Sequence, residues 1–186
     1  LRSDEAILAL RNALNNDSFW GVQAEVAAAL GHVNTEKSSM ILFHSLDVVT
    51  EPKVRRAIYA ALRSFKSQEI VTGIEKKFRK EESYFAEANG LRALGVMRHP
   101  KAEELLKKAL EKDSWNEIIR IAALDGLGAL RSQQLIPLFL DHTKYGKPHR
   151  VRMAAIRCLA QFEPGNTEIQ NRLIELIQDG YLLVQF

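Results

Sequence analysis

The sequence predicts an all-α protein, an α-α superhelix in which about five helix pairs stack on one another and a truncated sixth pair follows. A leucine recurs every 32 or 33 residues, at Leu30, Leu62, Leu94, Leu127 and Leu159. Self-similarity at a period between about 20 and 50 residues is typical of stacked repeat proteins. No stretch alternates apolar and polar residues over the length of a strand. The chain is therefore predicted to consist of helices and turns.

Each recurring leucine closes an amphipathic helix, the second of its pair, which we name helix B. Eight residues before the leucine stands an apolar column: Val22, Val54, Ala86, Ile119 and Val151. One residue before it stands a small column: Ala29, Ala61, Ala93, Gly126 and Cys158. Helical spacing places both columns on the buried side of the helix. The small column predicts that neighbouring B helices approach closely.

A first helix, helix A, precedes each helix B. Its apolar column holds Leu10, Leu42, Ile74 and Leu106, each 32 residues after the last. Leu135 and Phe139 continue the pattern after a one-residue shift, and Ile169, Leu173 and Ile177 follow after another. The first shift falls in the turn at residues 113–116, where insertions are tolerated.

Turn residues separate the predicted helices. The pairs Asp17-Ser18, Glu82-Ser83 and Asp113-Ser114 precede B helices and are predicted to cap them, and Pro52 suits a first helical turn. A glycine follows three closing leucines and is predicted to end the helix in the left-handed conformation: Gly31, Gly95 and Gly128. His32 and His99 are predicted to be solvated residues of the loops between repeats.

Length and composition predict one domain over residues 1–186. The 186 residues are 46% hydrophobic and 26% charged, which is enough to bury a continuous core, and no linker interrupts them. We expect a piece of a longer protein, because helix A opens almost at residue 1 and residues 180–186 begin a sixth helix B. No secretory signal or apolar run of membrane length is present. A cytoplasmic location is the expectation.

The sequence offers no catalytic constellation. Its five histidines form no His-Glu-x-x-His pair, and no phosphate-binding glycine loop or nucleophile elbow is present. The acidic pairs Glu81-Glu82 and Glu103-Glu104 fall at helix starts or turns, where the helix dipole accounts for them. The lone cysteine, Cys158, excludes an internal disulfide and is predicted to be buried and inert. We expect no catalytic residue, metal or cofactor in this segment.

The net charge of +3 is too small to indicate a nucleic-acid-binding protein. Basic residues cluster at Lys76-Lys77-Arg79-Lys80 and at Lys144-Lys147-Arg150-Arg152, but acidic residues interrupt any continuous stripe. Solvated helix faces are the favoured interpretation.

Two arginine columns are the candidate binding residues. They contain Arg55, Arg120 and Arg152 in one column and Arg92 and Arg157 in the other. Because the B helices of a superhelix line its concave surface, these arginines are predicted to face a binding groove. The alternative is a structural ladder in which the arginines pair with turn acids such as Glu51 and Asp113.

A recurring element supports a named repeat class. Val54-Arg55-Arg56-Ala57 returns as Ile119-Arg120-Ile121-Ala122 and as Val151-Arg152-Met153-Ala154. This element resembles the short HEAT repeat, which is also found in phycobilin-lyase-like proteins. The resemblance implies a HEAT-like solenoid, in which each helix pair buries its apolar face only by stacking on its neighbours.

Aromatic residues at the turns carry a second resemblance. Four of the five B helices begin with such a phrase, the second being the exception: Ser18-Phe19-Trp20-Gly21, Ser83-Tyr84-Phe85-Ala86, Ser114-Trp115 and Tyr145-Gly146-Lys147-Pro148. Their order resembles the C-terminal HEAT-like domain of aminopeptidase N-like zinc metallopeptidases. The resemblance implies a non-catalytic domain that packs over an upstream catalytic domain of the same chain and restricts or contacts peptides. Zinc would then lie only in that upstream domain.

Two other functions stay open. One is a free HEAT scaffold that binds another protein, and the other is a HEAT-like protein that handles nucleic acid or bilin. A membrane partner is not expected, and nucleic acid is disfavoured.

Overall fold

The computed structural model describes residues 4–162 and 165–177, and these residues contain eleven α-helices, two short 3₁₀ turns and no strand. The all-α prediction is confirmed. The helices are α1 (Asp4–Asn16), α2 (Trp20–Val33), α3 (Glu36–Ser45), α4 (Pro52–Leu62), α5 (Gln68–Phe78), α6 (Tyr84–Val96), α7 (Ala102–Ala109), α8 (Ile118–Ala129), α9 (Ile136–His142), α10 (His149–Leu159) and α11 (Thr167–Ile177).

The chain divides into two compact units, residues 1–100 and residues 101–186. The first unit contains three helix pairs, in which α4 packs against both α2 and α6. The second contains two pairs, in which α8 packs against α10, followed by α11 as the first helix of a sixth pair. One continuous array over residues 1–186 stays a prediction. The predicted sixth helix B, at residues 180–186, lies outside the described residues.

The leucines that close the B helices form the core, as predicted. All five are buried, from Leu30 in α2 to Leu159 in α10. The helix A column is equally buried in the middle repeats, at Leu42, Ile74 and Leu106. In α11, Ile169 is buried as predicted, whereas Ile177 is exposed. The residues that recur every 32 or 33 positions in the sequence are therefore the residues that form the core.

Close contact between B helices accounts for two of the three glycines that were predicted at helix ends. Gly31, Gly95 and Gly128 lie inside α2, α6 and α8, so their predicted left-handed role is wrong. A Cβ atom on Gly31 would lie 3.0 Å from the Cβ of Ala61 in α4. One on Gly128 would lie 2.9 Å from the Sγ of Cys158 in α10. These glycines let neighbouring helices touch.

The residues that adopt the left-handed backbone conformation lie three positions after these glycines. Asn34, Arg98 and Arg131 have φ angles of 51°, 54° and 56°. At two of these ends the helix continues past its glycine because an apolar residue of the next turn, Val33 or Met97, is also buried. Burial of that side chain thus decides where the chain turns.

The predicted caps are partly confirmed. Pro52 is the first residue of α4, and the Glu51 carboxylate accepts a hydrogen bond from the amide of Lys53. Ser114 accepts one at 2.9 Å from the amide of Ile119, in the first turn of α8. Asp17 accepts one at 2.8 Å from the amide of Phe19, which precedes α2, so the predicted Asp17 cap of that helix is wrong. The side chain of the third predicted cap, Ser83, makes no capping hydrogen bond.

His32 and His99 were predicted to be solvated loop residues, and this prediction is wrong in part for each. His32 is exposed but lies in the last turn of α2. His99 lies between α6 and α7 but is buried, with its Nε2 3.7 Å from the Glu75 carboxylate. The left-handed Arg98 turns the chain back, so that the His99 amide donates to the carbonyl of Leu94. This turn carries the imidazole inward.

Candidate binding surfaces

Arg55 joins three parts of the first unit. From α4 it donates to the carbonyl oxygens of Leu46 at 2.5 Å and Val49 at 2.7 Å, which lie in the turn after α3. Its Nε donates to the Glu81 carboxylate at 2.9 Å, in the turn after α5. Arg55 therefore ties helix B of one repeat to the turn of its own repeat and to that of the next.

Glu81 is the centre of this network. Its side chain is only 2% exposed, and it pairs with Arg55 and accepts a hydrogen bond from the Tyr59 hydroxyl at 2.9 Å. Burial, together with the negative charge of Glu81, raises the pKa of Tyr59, and the hydrogen bond to Glu81 raises the pKa of Arg55. Our interpretation of Glu81 as a turn acid that the helix dipole explains is wrong. Its partners stand 22 and 26 residues earlier, so no short motif reveals them.

Arg120 and Arg152 occupy corresponding places in the second unit. Arg120 donates to the carbonyl of Leu110 at 2.8 Å and pairs with Asp113 and Glu117. Arg152 is 3% exposed and donates to the carbonyl of Thr143 at 3.1 Å. Each arginine reaches back nine or ten residues to a carbonyl at the end of the preceding helix A.

The contacts of this column support the structural-ladder alternative. The predicted pair of Arg120 with Asp113 is present. The described contacts of Arg55 include Glu81, while Glu51 caps α4. Backbone carbonyls at the ends of helices need donors, and a guanidinium supplies several at once.

The second arginine column is different. Arg157 keeps 56% of its side chain exposed and lies 3.6 Å from Asp125. Arg92 is half-buried in α6, near Arg63. The pKa of Arg63 is lowered mainly because its guanidinium is buried, and the positive charge of Arg92 lowers it further. A single groove lined by Arg55, Arg92, Arg120, Arg152 and Arg157 stays a prediction.

The two roles predict different responses to substitution. We expect Arg152→Ala to lower the free energy of unfolding by about 1–3 kcal/mol, because it removes a buried charged donor. Arg157→Ala is expected to change it by no more than about 0.5 kcal/mol, since that side chain is mostly solvated. Urea denaturation of the two variants provides the measurement. Equal effects would contradict the assignment of Arg152 to the structural ladder.

Several residues of the basic clusters form ion pairs with nearby acids. Lys77 pairs with Asp47 and lies 4.8 Å from the Phe43 ring centre, so it is not the solvated residue that we predicted. Lys144 pairs with Asp141 and lowers the pKa of that carboxyl. Nucleic-acid binding, which needs an uncommitted basic stripe, gains no support from these residues.

Aromatic side chains at the turns are exposed instead of packed in the core. Trp115 is 67% exposed and Tyr145 is 86% exposed in the second unit. In the first unit the exposed set at the starts of the B helices is Phe19, Trp20, Tyr84 and Phe85. We name these six residues the turn aromatics. Phe19 and Trp20 are adjacent, with ring centroids 5.6 Å apart, and contiguous exposed apolar groups are a feature of protein-binding surfaces.

The N-terminal ends of α2 and α4 lie side by side. The Nζ of Lys53, at the start of α4, lies 4.1 Å from the Trp20 ring centre at the start of α2. Gly31 and Ala61 meet near the other ends of the same helices. The two helices therefore run parallel, and the turns that precede them share one edge of the unit.

The described residues contain neither a metal-binding cluster nor a membrane-spanning helix. No group of three or more histidine, cysteine, aspartate or glutamate side chains lies close enough to hold a metal ion. No described helix is both long and apolar enough to span a bilayer. Cys158 is buried, as predicted, and this burial raises the pKa of its thiol to about 12.

Stacked helix pairs with a periodic leucine core and exposed turns define a helical-repeat scaffold. A family model for HEAT repeats matches residues 72–160 and, in a second match, residues 111–185. Together these matches cover more than half of the chain, which belongs to the HEAT-repeat family. No curated protein matches the chain.

Proposed function

We propose that this HEAT-repeat scaffold is a non-catalytic domain of a zinc aminopeptidase, where it packs over the catalytic domain and limits the access of peptides. The order of the turn aromatics, from Phe19 to Tyr145, supports this assignment through its resemblance to that enzyme family. The partner is then the upstream catalytic domain of the same protein, which holds the zinc and the catalytic residues. A cytoplasmic location is part of the proposal.

The exposure of the turn aromatics carries the proposal. Aromatic residues that recur at equivalent positions and lie in the core are explained by packing alone. These do not lie in the core, and Tyr145 is almost fully exposed. Aromatic side chains are enriched at protein interfaces, because they bury a large area with few rotatable bonds. A protein partner is therefore the favoured occupant of these turns.

In this proposal fewer arginines contact a peptide than the five that the sequence pattern predicted. Arg55, Arg120 and Arg152 already donate to carbonyls of their own units. The guanidinium of Arg157 is better placed to attract a peptide carboxylate from solution, because 56% of its side chain is exposed.

The coding sequence on the 5′ side of the Leu1 codon tests the proposal directly. We expect the same reading frame to encode a His-Glu-x-x-His motif with a downstream glutamate, which together supply three zinc ligands and a general base. A complete reading frame that lacks this motif would overturn the aminopeptidase assignment. The HEAT-repeat assignment would stand in either case.

The purified chain should neither retain zinc nor hydrolyse an aminoacyl anilide, because the described residues offer no three-ligand site. Metal analysis after washing with a chelator, combined with an anilide assay, provides the measurement. Stoichiometric zinc together with turnover would place the chemistry in this chain and contradict the proposal. Zinc without turnover would indicate only surface histidines.

A further inference from the structure

A groove lies between α1 and α3, the first helices of the first two pairs. Its volume is about 310 Å³, which falls within the range of about 300–1,000 Å³ that is usual for ligand-binding clefts. Both of its walls belong to helices that the structure describes, so the groove is an internal feature of the first unit. We name it the α1–α3 groove.

The walls of the α1–α3 groove are largely apolar. Met40 and Ile41 of α3 line it and remain partly exposed. Leu8 of α1 is 50% exposed, and Val48, in the turn after α3, is 59% exposed. Single exposed apolar side chains are common on protein surfaces, but these four line the same groove and form one patch. An apolar group of a partner can therefore be buried there.

The same groove is lined by basic side chains. Arg11, Lys37 and His44 are all exposed, and no carboxylate is among the described residues that line the groove. Lys37 pairs with Asp4 at 2.7 Å, but the Asp4 side chain is 81% exposed, and ion pairs at the surface are weak. Arg11 forms no ion pair with a described residue. A ligand that carries carboxylates is therefore the electrostatic complement of this groove.

The next groove of the unit, between α3 and α5, shows how the chain itself occupies such a space. Phe43 of α3 lies so close to Gly73 of α5 that a Cβ atom on this glycine would be 2.5 Å from the ring. Asp47, just after α3, pairs with Lys77 of α5. An aromatic side chain and a carboxylate four residues apart thus occupy the α3–α5 groove.

The α1–α3 groove has neither of these two groups. At the positions 32 residues before Phe43 and Asp47 the sequence has Arg11 and Asn15, and Ile41 stands where α5 has its glycine. A guanidinium thus replaces the aromatic ring, and a neutral amide replaces the carboxylate. The α1–α3 groove therefore stays open and keeps its basic lining.

We propose that the α1–α3 groove binds an acidic amphipathic helix of another protein, which presents a large apolar residue and, four residues later, a carboxylate. The apolar residue packs on the walls that Leu8 and Met40 provide, and the carboxylate pairs with Arg11 or Lys37. Binding of a helix in an apolar groove is a recurring mode of peptide recognition. The proposal does not depend on the aminopeptidase assignment, because it rests only on the residues of this groove.

Fluorescence anisotropy with two synthetic peptides tests the proposal in the 186-residue chain. The acidic probe is fluorescein-FAALDAEFAALDAE-amide, and the basic probe has lysine in place of every aspartate and glutamate. We expect the chain to bind the acidic probe at least about tenfold more tightly than the basic probe. The double variant Arg11→Glu with Lys37→Glu should bind the basic probe more tightly, because the charge of the groove is reversed.

Two further double variants separate the groove from the net charge of the chain. Arg56→Glu with Lys66→Glu makes the same change in net charge at exposed positions outside the groove, so it should keep the preference for the acidic probe. Leu8→Ser with Val48→Ser leaves the charge unchanged and should weaken binding of the acidic probe about tenfold, because apolar contact area is lost.

Several results would overturn the proposal. They are failure of the acidic probe to bind, equal affinity for the two probes, and an equal loss of preference in the Arg56→Glu, Lys66→Glu variant. Tighter binding of decanoate than of the acidic probe would also overturn it, by identifying an anionic amphiphile as the occupant. Self-association of the chain that Arg11→Glu with Lys37→Glu abolishes would do so as well, by identifying a second copy.

Discussion

Replacement of Glu81 by alanine is expected to lower the free energy of unfolding by about 3 kcal/mol. The substitution leaves Arg55 and the Tyr59 hydroxyl without the buried carboxylate that they share. Removing one partner of a buried ion pair costs about 3–5 kcal/mol, because the other charge stays desolvated. We expect the lower end of that range, since Arg55 keeps two carbonyl acceptors. Urea denaturation monitored by circular dichroism provides the measurement.

The neighbouring glutamate is a matched control. Glu82 is exposed in the same turn, and Glu82→Ala should change the free energy of unfolding by no more than about 0.5 kcal/mol. The variant Glu81→Gln should fall between the two, because it keeps the shape and loses the charge. If Glu81→Ala and Glu82→Ala have equal effects, Glu81 does not connect the repeats.

Leu94→Ala is expected to cost about 2–5 kcal/mol of unfolding free energy. Leu94 closes α6 and is completely buried, so truncation leaves a cavity in the column of leucines. Val96→Ala, two residues later in the same helix, is the control because Val96 is 45% exposed. Its expected effect is within about 0.5 kcal/mol. A comparable loss of stability in both variants would show that the recurring leucines do not form the core.

The 32-residue period predicted most of the fold, because it arises from the burial of the same helical position in every repeat. A leucine at a fixed helical position is buried in every repeat, and the sequence shows this directly through Leu30, Leu62 and their equivalents. The ends of helices were less predictable. Glycine is the residue type expected at a left-handed helix end. Gly31 and Gly128 instead lie inside helices, where they allow close contact with Ala61 and Cys158. That contact joins residues about 30 positions apart, which a local pattern does not reveal.

The candidate sites were harder to predict than the fold. The arginine columns were visible in the sequence, but their acceptors are backbone carbonyls at Leu46, Leu110 and Thr143, which no residue type indicates. Glu81 escaped notice for the same reason, because its importance comes from Arg55 in the previous repeat. The positions of the turn aromatics at the starts of four B helices were visible in the sequence, whereas their exposure became clear only from the structure.

Tryptophan fluorescence tests most directly whether the turn aromatics of each unit are exposed to solvent. The chain has two tryptophans, Trp20 and Trp115, and both belong to this set. We predict that the emission of the native chain is typical of tryptophan in contact with solvent. Acrylamide should quench it less efficiently than it quenches the unfolded chain, because Trp20 is only 39% exposed, but far more efficiently than it quenches a buried tryptophan. Blue-shifted native emission that acrylamide quenches poorly would place the tryptophans in a core and contradict the proposed binding role of these turns.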